Sequence, residues 1–315
     1  MTDAMVLYIV IPCYNEGEVL YDTIKSMRQK LKDLINSRRI SDRSKIVFVN
    51  DGSSDTTWSI IQCACISEPN LFSGIDLAHN VGHQNAVYAG LITIMNDCDA
   101  AITIDADLQD DIDAIDEMVS AYYTGNDVVY GVRSIRSTDH FLKRFTAEHF
   151  YKFMKHMGAD IVYNHADFRL MSRRVLQALS EYHEINLFLR GIIPSIGYHS
   201  TSVYYTRRER MAGKSKYSVR KMFDLAINGI TSFSVKPIRM IFATGISLCV
   251  ISFILFILLC CRVIRNPLLP CLFLIGGLHL TALGVIGEYI GKIYSEVKHR
   301  PRYIISEYLH DSSGE

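Results

Sequence analysis

The sequence lacks several features that mark common classes of protein. It carries no formal net charge, since 33 Lys and Arg balance 33 Asp and Glu, and this balance gives no reason to expect a nucleic-acid partner. Its eight cysteines include no Cys-x-x-Cys pair, which disfavours structural zinc and indicates a reduced, cytoplasmic setting. No internal repeat or low-complexity tract occurs. One large domain or two modest ones are expected.

An export signal is also missing from the first residues. The run at 5–11 is apolar, but it is short, has no basic start and ends at Pro12, unlike a signal peptide. A buried parallel strand explains this run better. The large N-terminal part is therefore expected to stay in the cytoplasm.

Charged residues are absent from two runs near the C-terminus, 240–261 and 266–287. Each run has about 22 residues, enough to cross a hydrocarbon core about 30 Å thick. Basic residues precede the first run and follow the second, and only Arg262 and Arg265 lie between them. This distribution predicts a transmembrane hairpin with both ends in the cytoplasm. A buried hairpin in a soluble protein is the alternative.

The segment before these runs predicts an amphipathic helix. Apolar residues recur with helical spacing between 218 and 236, and Arg220 and Lys221 lie off this stripe. A helix at the membrane interface fits the pattern, although a core-facing helix has the same spacing. Pro237 is expected to end it.

The first 130 residues alternate short apolar runs with amphipathic stretches. Buried parallel strands are predicted at 8–11, 45–49, 101–104 and 127–130, and helices at 18–34, 56–66, 85–95 and 112–123. Strands that alternate with helices predict an open α/β sheet. Ligands of such sheets bind at the carboxyl ends of the strands.

Polar residues gather at these strand ends. Asn15 and Glu16 follow the first strand, and residues 51–55 and 105–111 follow two others. Asp105 and Asp107, with Gln109 close behind, supply the hard oxygen ligands that Mg²⁺ or Mn²⁺ prefers. Such a cation offsets the negative charge that builds on a departing diphosphate. Alone, two Asp at this spacing are weak evidence, because surface loops often contain them.

Further motifs occur in a characteristic order along the chain. They are IPCYNE at 11–16, VNDGSSD at 49–55, LAHNVGH at 77–83, DAD at 105–107, DVVYGVR at 127–133, ADFRLM at 166–171, RxxRxxGxSKY at 207–217, GITSFS at 229–234 and IGEYIGKIY at 286–294. With these motifs the chain resembles glycosyltransferase family 2 over nearly its whole length. It is most similar to the polyprenyl-phosphate glycosyltransferases, the relatives of dolichol-phosphate mannose synthase and bactoprenol glucosyltransferase.

The resemblance implies a domain organisation. It places a cytoplasmic α/β catalytic domain with the GT-A (Rossmann-like) nucleotide-sugar fold at 1–217 and a juxtamembrane amphipathic helix at 218–236. A two-helix transmembrane hairpin at 237–291 and a cytoplasmic C-terminal tail at 292–315 follow. The expected location is the cell membrane, with several passes. The family also forms oligomers through its membrane region, so an assembly of identical chains is a further expectation.

The resemblance also implies roles for individual residues. Nucleotide-sugar binding is implied for Pro12, Tyr14, Asn15, Glu16, Asp51, Asp105, Arg207, Arg210 and Lys216. The implied metal ligands are Asp107 and Gln109, with Asp105 near the ribose and the metal. The implied lipid-phosphate ligands are Arg133, Lys143 and Arg144, and the implied catalytic residues are Asp107, Asp167 and Arg169. Two alternatives stay open: Asp167 as a structural acid paired with Arg169, and the basic residues at 207–216 as a patch for anionic lipids.

The implied reaction is an inverting hexose transfer from a nucleotide sugar to undecaprenyl phosphate. UDP-glucose and UDP-N-acetylglucosamine are the first candidates for the donor, and GDP-mannose is the alternative. The product would serve as a lipid-linked donor for cell-envelope glycans, so a flippase and a second glycosyltransferase are expected downstream. His79, Ala166 and residues 111–112 depart from the family pattern and leave the sugar open. His79 and His83 are interpreted as polar loop residues rather than metal ligands.

Two rival functions remain for this pattern. A processive polysaccharide synthase of the same superfamily carries a Gln-x-x-Arg-Trp motif, but the only tryptophan here is Trp58, inside an early predicted helix. A non-catalytic membrane assembly partner would explain the two apolar runs. It would not explain the complete sets of acidic and basic residues.

Overall fold

A computed structural model describes residues 4–133, 165–183, 188–206, 268–298 and 300–310. The chain divides into two compact units. The first comprises residues 1–146, 161–216 and 301–315, and the second comprises residues 147–160 and 217–300. The candidate site residues belong to the first unit.

The first unit contains the described strands and most of the described helices. Its strands are β1 (Leu7–Cys13), β2 (Lys45–Asn50), β3 (Phe72–Leu77), β4 (Ala100–Thr103), β5 (Val128–Arg133), β6 (His165–Ser172), β7 (Ser200–Tyr205) and β8 (Ile305–Leu309). Its helices are α1 (Leu20–Asn36), α2 (Thr57–Ser67), α3 (His83–Ile94), α4 (Ala114–Tyr123), α5 (Arg173–Ser180) and α6 (Leu189–Ser195). Helix α7 (Leu268–Val297) belongs to the second unit.

The eight strands form one mixed sheet in the order β7-β5-β6-β4-β1-β2-β3-β8. Its centre, β4-β1-β2-β3, is parallel, and β1 is buried along its whole length. Strands with both faces covered by helices read as continuous apolar runs, which is why the sequence revealed them. The predicted strands and the α/β class are confirmed, and the four predicted helices agree with α1–α4 to within two residues at each end.

The neighbours of β5 differ from the prediction. The run at 127–130 was expected to be a parallel strand like the others, but β6 lies between β4 and β5 and is antiparallel to both. Strand β5 is parallel only to β7. Local hydrophobicity indicates that a strand is buried but not which strand pairs with it. The insertion of β6 has a direct consequence for the site, because it places Arg169 opposite Thr103 at the end of β4.

Helix α3 lies very close to the central strands. A Cβ atom added at Gly90 would stand 2.6 Å from Cγ1 of Val10 and 2.7 Å from Cγ2 of Val49. A side chain at this position would therefore push α3 away from β1 and β2. This close packing fixes the helix that begins at His83, one of the residues of the candidate site.

The C-terminal residues are part of the sheet. Residues 292–315 were expected to form a tail, whereas β8 pairs antiparallel with β3 at the edge of the sheet. The residues just before β8 pack on α3: the guanidinium carbon of Arg302 lies 4.5 Å from the ring centre of Tyr88, and the Tyr303 ring centre lies 6.3 Å from it. A strand that completes a sheet edge cannot be recognised from composition, since β8 is only half-buried.

The membrane predictions concern residues outside or at the margin of the described ranges. The first apolar run, 240–261, and the amphipathic segment, 218–236, lie outside them, and most of the second run falls in α7. Among the described helices, none is both long and apolar enough to cross a membrane. The transmembrane hairpin stays a prediction.

Candidate active site

The predicted site residues that the structure describes lie at the carboxyl ends of β1, β2, β4 and β5 and along β6. Those outside the described residues are Lys143, Arg144, Arg207, Arg210 and Lys216. The central parallel strands bring loops from distant parts of the sequence to one edge of the sheet. That edge is where the sequence placed the site.

The loop after β1 is bonded to the loop after β2. The Asn15 N–H donates to Oγ of Ser53 at 3.0 Å, and the Glu16 N–H donates to Oγ1 of Thr57 at 2.9 Å. Asn15 adopts the left-handed conformation, with φ of +52°, which a residue other than glycine rarely does. Tyr14 extends into solvent. The loop is thus held in a fixed shape that leaves an aromatic ring exposed beside it.

Asp51 organises the loop that leads into α3. Its Oδ1 accepts the Val81 N–H at 2.7 Å, and its Oδ2 accepts the Gly82 N–H at 3.1 Å and Nδ2 of Asn80 at 3.0 Å. Burial raises the pKa of Asp51, although these two backbone donors and nearby histidines lower it. The structure therefore shows a loop-holding role for this carboxylate, and its contact with a nucleoside stays a prediction.

The acidic motif after β4 turns sharply. Leu108 has a φ of +50°, and the Gln109 N–H donates to Oδ1 of Asp107 at 3.2 Å. Asp105 is partly exposed, whereas Gln109 is buried. Burial raises the pKa of Asp105 to about 6, and the nearby Asp167 adds to the rise although His83 opposes it.

The donor atoms of this motif suit a hard divalent cation. Among the residues that the structure describes, no three His, Cys, Asp or Glu side chains are grouped so as to hold a metal. The predicted set is two carboxylates and one amide, all with oxygen donors, and Mg²⁺ or Mn²⁺ bound there would complete its shell with substrate oxygens and water. The residues present thus fit a metal that a diphosphate helps to bind.

A cluster of charged side chains surrounds Asp167 on β6. Its Oδ1 accepts Nη2 of Arg169 at 2.6 Å and Nε of Arg190 at 3.1 Å, and its Oδ2 accepts Nη2 of Arg190 at 3.0 Å. Nε2 of His83 lies 3.6 Å from Oδ2 of Asp167 and 3.6 Å from Oδ1 of Asp105. The cluster therefore joins β6 and α6 to the acidic motif through the first residue of α3.

Charge pairing governs the protonation of this cluster. Burial opposes ionisation of Asp167, but His83 and the two arginines hold the pKa of its carboxyl well below the usual range. Burial alone would lower the pKa of His83, but the Asp167 hydrogen bond and the Asp105 charge raise it to about 9. His83 therefore lies between two carboxylates, and its interpretation as a polar loop residue rather than a metal ligand stays a prediction.

Arg133, a predicted phosphate ligand, is held by the acidic motif. Oδ1 of Asp110 accepts Nη2 of Arg133 at 3.1 Å and the Tyr205 hydroxyl at 2.6 Å. Asp110 is buried, while the Arg133 side chain remains 28% exposed. The buried carboxylate therefore orients a cation that still reaches solvent beside the predicted metal ligands.

Three members of the site were missed by the sequence analysis as functional residues: Asp110, Arg190 and, as a partner of Asp167, His83. Arg190 interrupts the apolar stretch at 187–193, and an isolated charge in such a stretch was a usable signal. Asp110 had no comparable signal, because several acidic residues surround it in sequence.

Comparison with known proteins assigns the chain to a family. The sequence model of Glycosyl transferase family 2 matches residues 8–180. This match spans more than half of the chain and includes the loops after β1, β2 and β4 and most of the Asp167 cluster. The chain belongs to glycosyltransferase family 2. It is accordingly an enzyme, and its reaction is the transfer of a sugar.

Relatives within family 2 align over almost their full lengths. An uncharacterized glycosyltransferase, YkoT, of Bacillus subtilis (strain 168) is 48% identical over 307 residues, which cover 95% of this chain and 91% of that protein. The bactoprenol glucosyl transferase of Shigella phage SfV is 41% identical over 313 residues, which cover 96% and 98%. A solved mannosyltransferase from Pyrobaculum calidifontis, in complex with GDP-mannose and Mn²⁺, is 15% identical with a TM-score of 0.48, over 95% of this chain and 77% of that one.

Proposed function

We propose that this family 2 enzyme transfers a hexose, glucose or N-acetylglucosamine, from a UDP-sugar to undecaprenyl phosphate with inversion at the anomeric carbon. The observation that carries the proposal is the Arg133–Asp110 ion pair, in which a residue of the acidic motif holds a cation whose side chain is 28% exposed. A site for joining two anionic substrates needs this combination. The 41% identity to a bactoprenol glucosyl transferase over nearly the whole chain supports it.

The donor half of the proposed site lies along β1, β2 and β4. Tyr14 and Asp51 are proposed to contact the nucleoside, and the hydrogen bonds that hold the loops around them support this assignment. Asp105, Asp107 and Gln109 would hold Mg²⁺ or Mn²⁺, which neutralises charge on the departing diphosphate. Arg207, Arg210 and Lys216 are proposed to contact the diphosphate as well.

The acceptor half is proposed to involve Arg133, Lys143 and Arg144. Guanidinium groups bind phosphate oxygens through paired, charge-assisted hydrogen bonds. The buried Asp110 already restricts the rotation of the Arg133 side chain. Binding of the lipid phosphate by this guanidinium therefore costs less conformational entropy. Preorganised cations of this kind stabilise charge most effectively where water is excluded.

The proposed reaction needs no proton transfer. An acceptor phosphate oxygen forms a bond to C1 of the sugar while the bond from C1 to the diphosphate oxygen breaks, and its electron pair leaves with UDP. The second pKa of such a phosphate is about 6, so the attacking oxygen is already largely ionised at neutral pH. Attack from the face opposite the leaving group turns an α-linked donor into a β-linked lipid phosphate.

The setting of the reaction is part of the proposal. The two uncharged runs at 240–261 and 266–287 are proposed to anchor the catalytic domain to the cytoplasmic face of the cell membrane. The glycosyl lipid would then be moved across the membrane by a flippase and used by a second glycosyltransferase on a cell-envelope glycan. An assembly of identical chains is also proposed.

A product assay tests the proposal. Membranes that contain the protein are incubated with undecaprenyl phosphate, Mn²⁺ and labelled UDP-glucose, UDP-N-acetylglucosamine or GDP-mannose, and the lipid product is identified by mass. We expect one of the UDP-sugars to give a β-linked hexosyl phospholipid, and Asp107→Ala to abolish it. If only GDP-mannose gave a lipid product, the donor would be GDP-mannose rather than a UDP-sugar. No lipid product from any of the three donors would refute the acceptor assignment.

A further inference from the structure

Arg190 binds both oxygens of the Asp167 carboxylate. It lies near the start of α6, and its Nε and Nη2 donate to Oδ1 and Oδ2 of Asp167 at 3.1 and 3.0 Å. Two parallel hydrogen bonds fix the plane of a carboxylate as well as its distance. This arginine lies beyond the residues that match the family model.

Most acceptor positions of the Asp167 carboxylate are engaged by arginine side chains. A carboxylate offers about four such positions. Arg190 occupies two and Arg169 occupies a third at 2.6 Å, while Nε2 of His83 faces Oδ2 at 3.6 Å. A side chain that must remove a proton from a substrate needs an accessible oxygen, and both oxygens of Asp167 are already held by cations. The geometry therefore favours an orienting role over a general-base role.

The position of Arg190 distinguishes it from Arg169. Arg169 is buried, with 2% of its side chain exposed, whereas Arg190 is 27% exposed. Arg190 thus holds Asp167 from the solvent side of the cluster, and His83 connects that cluster to Asp105. The start of α6 is also bonded to the start of α3, since the Leu189 N–H donates to Oε1 of Gln84 at 2.9 Å. Arg190 follows Leu189 in the sequence and His83 precedes Gln84, so this bond links the two segments that carry them.

We propose that Arg190 and Asp167 act as one positioning unit for sugar transfer: Arg190 fixes the orientation of Asp167, and Asp167 holds His83 beside Asp105. Neither residue takes a proton from the acceptor. The proposal rests on the function proposed above, because it concerns the same site. It differs from a purely structural ion pair in that turnover, rather than folding, depends on it.

A double-mutant cycle tests this unit. Arg190→Gln, Asp167→Asn and the double variant are purified, and kcat and the donor KM are measured with UDP-glucose and undecaprenyl phosphate, or with the UDP-sugar found to be active. We expect each single change to lower kcat by about 10- to 100-fold, the cost of a small misplacement at a reacting centre. The donor KM should change little, and the double variant should be no slower than the slower single variant. Arg190→Lys should recover part of kcat, because it keeps the charge but not the two-point contact.

Two results would overturn the proposal. If Asp167→Asn were far slower than Arg190→Gln and the losses multiplied in the double variant, Asp167 would act by itself, as a general base does. If the Arg190 variants unfolded at lower temperature but kept full kcat per folded molecule, the pair would be structural. Arg174→Gln is the matched control: Arg174 pairs with Asp127 at 2.6 Å, outside the candidate site, so its loss should leave kcat unchanged.

The assay also separates this proposal from the proposed function. Hydrolysis of UDP-glucose in the absence of lipid is measured for the same variants. If the wild type hydrolyses the donor but transfers nothing to undecaprenyl phosphate, the acceptor assignment is wrong. The same cycle is then measured on hydrolysis, where non-additive losses of kcat support the positioning unit and additive losses refute it. If the wild type neither transfers nor hydrolyses any of the three donors, both proposals fail.

Discussion

Gly52 occupies the tightest point of the loops around Asp51, and Gly52→Ala tests how strongly that geometry is constrained. Gly52 has a φ of +60°, and an added Cβ would stand 2.5 Å from the Asn80 nitrogen and 2.5 Å from the His79 carbonyl carbon. Both neighbours are backbone atoms, so no side-chain rotation relieves the overlap. The loop after β2 and the loop before α3 must separate.

The expected loss of stability has two parts. A residue with a Cβ in the left-handed region costs about 1–2 kcal/mol, and an extra carbon forced into a packed region costs about 1–3 kcal/mol. Together these predict a loss of about 2–5 kcal/mol. For a domain of this size, 1 kcal/mol corresponds to about 2–4 °C in Tm, so we expect Tm to fall by about 4–20 °C.

Trp58 makes this loss measurable in the full-length protein. It is the only tryptophan of the chain and packs against the core of the first unit, so its fluorescence during heating reports the unfolding of that unit. Gly125→Ala is the control, since Gly125 has a φ of +94° and nothing lies within 4 Å of its added Cβ. Gly125→Ala therefore has the energetic cost of a positive φ but no steric overlap of the added Cβ. Equal Tm losses in the two variants would refute the close approach of the two loops.

Further predictions concern the acceptor side, the metal and the sheet edge. Asp110→Asn keeps the shape but removes the charge that holds Arg133; we expect the KM for undecaprenyl phosphate to rise about tenfold, as for the loss of a charged hydrogen bond, with the donor KM unchanged. EDTA should abolish sugar transfer by the wild type, and added Mn²⁺ should restore it. Mn²⁺ should not restore transfer in Asp107→Ala, and full turnover of the wild type in EDTA would exclude the metal site. Deletion of residues 301–315 removes β8 and exposes the edge of β3, so light scattering on heating should begin at a lower temperature; an unchanged onset would contradict the role of β8.

Local patterns in the sequence were sufficient for much of the fold. The apolar runs identified β1, β2, β4 and β5, because a strand buried on both faces needs apolar residues at every position. Helical spacing identified α1–α4 for a similar reason. The contact between Asp167 and Arg169 was also readable, since residues two apart on a strand share a face. Each of these features depends only on residues that are close in sequence.

The sequence by itself thus determined the α/β class, the edge of the sheet where the polar residues gather and the family to which the chain belongs. Only the tertiary structure decided that β6 lies between β4 and β5, that β8 completes the sheet, and that Arg190 and Asp110 orient Asp167 and Arg133. Strand order and the meeting of distant side chains depend on how the whole chain packs. Hydrophobic periodicity is a local property, and it carries no information about which strands become neighbours.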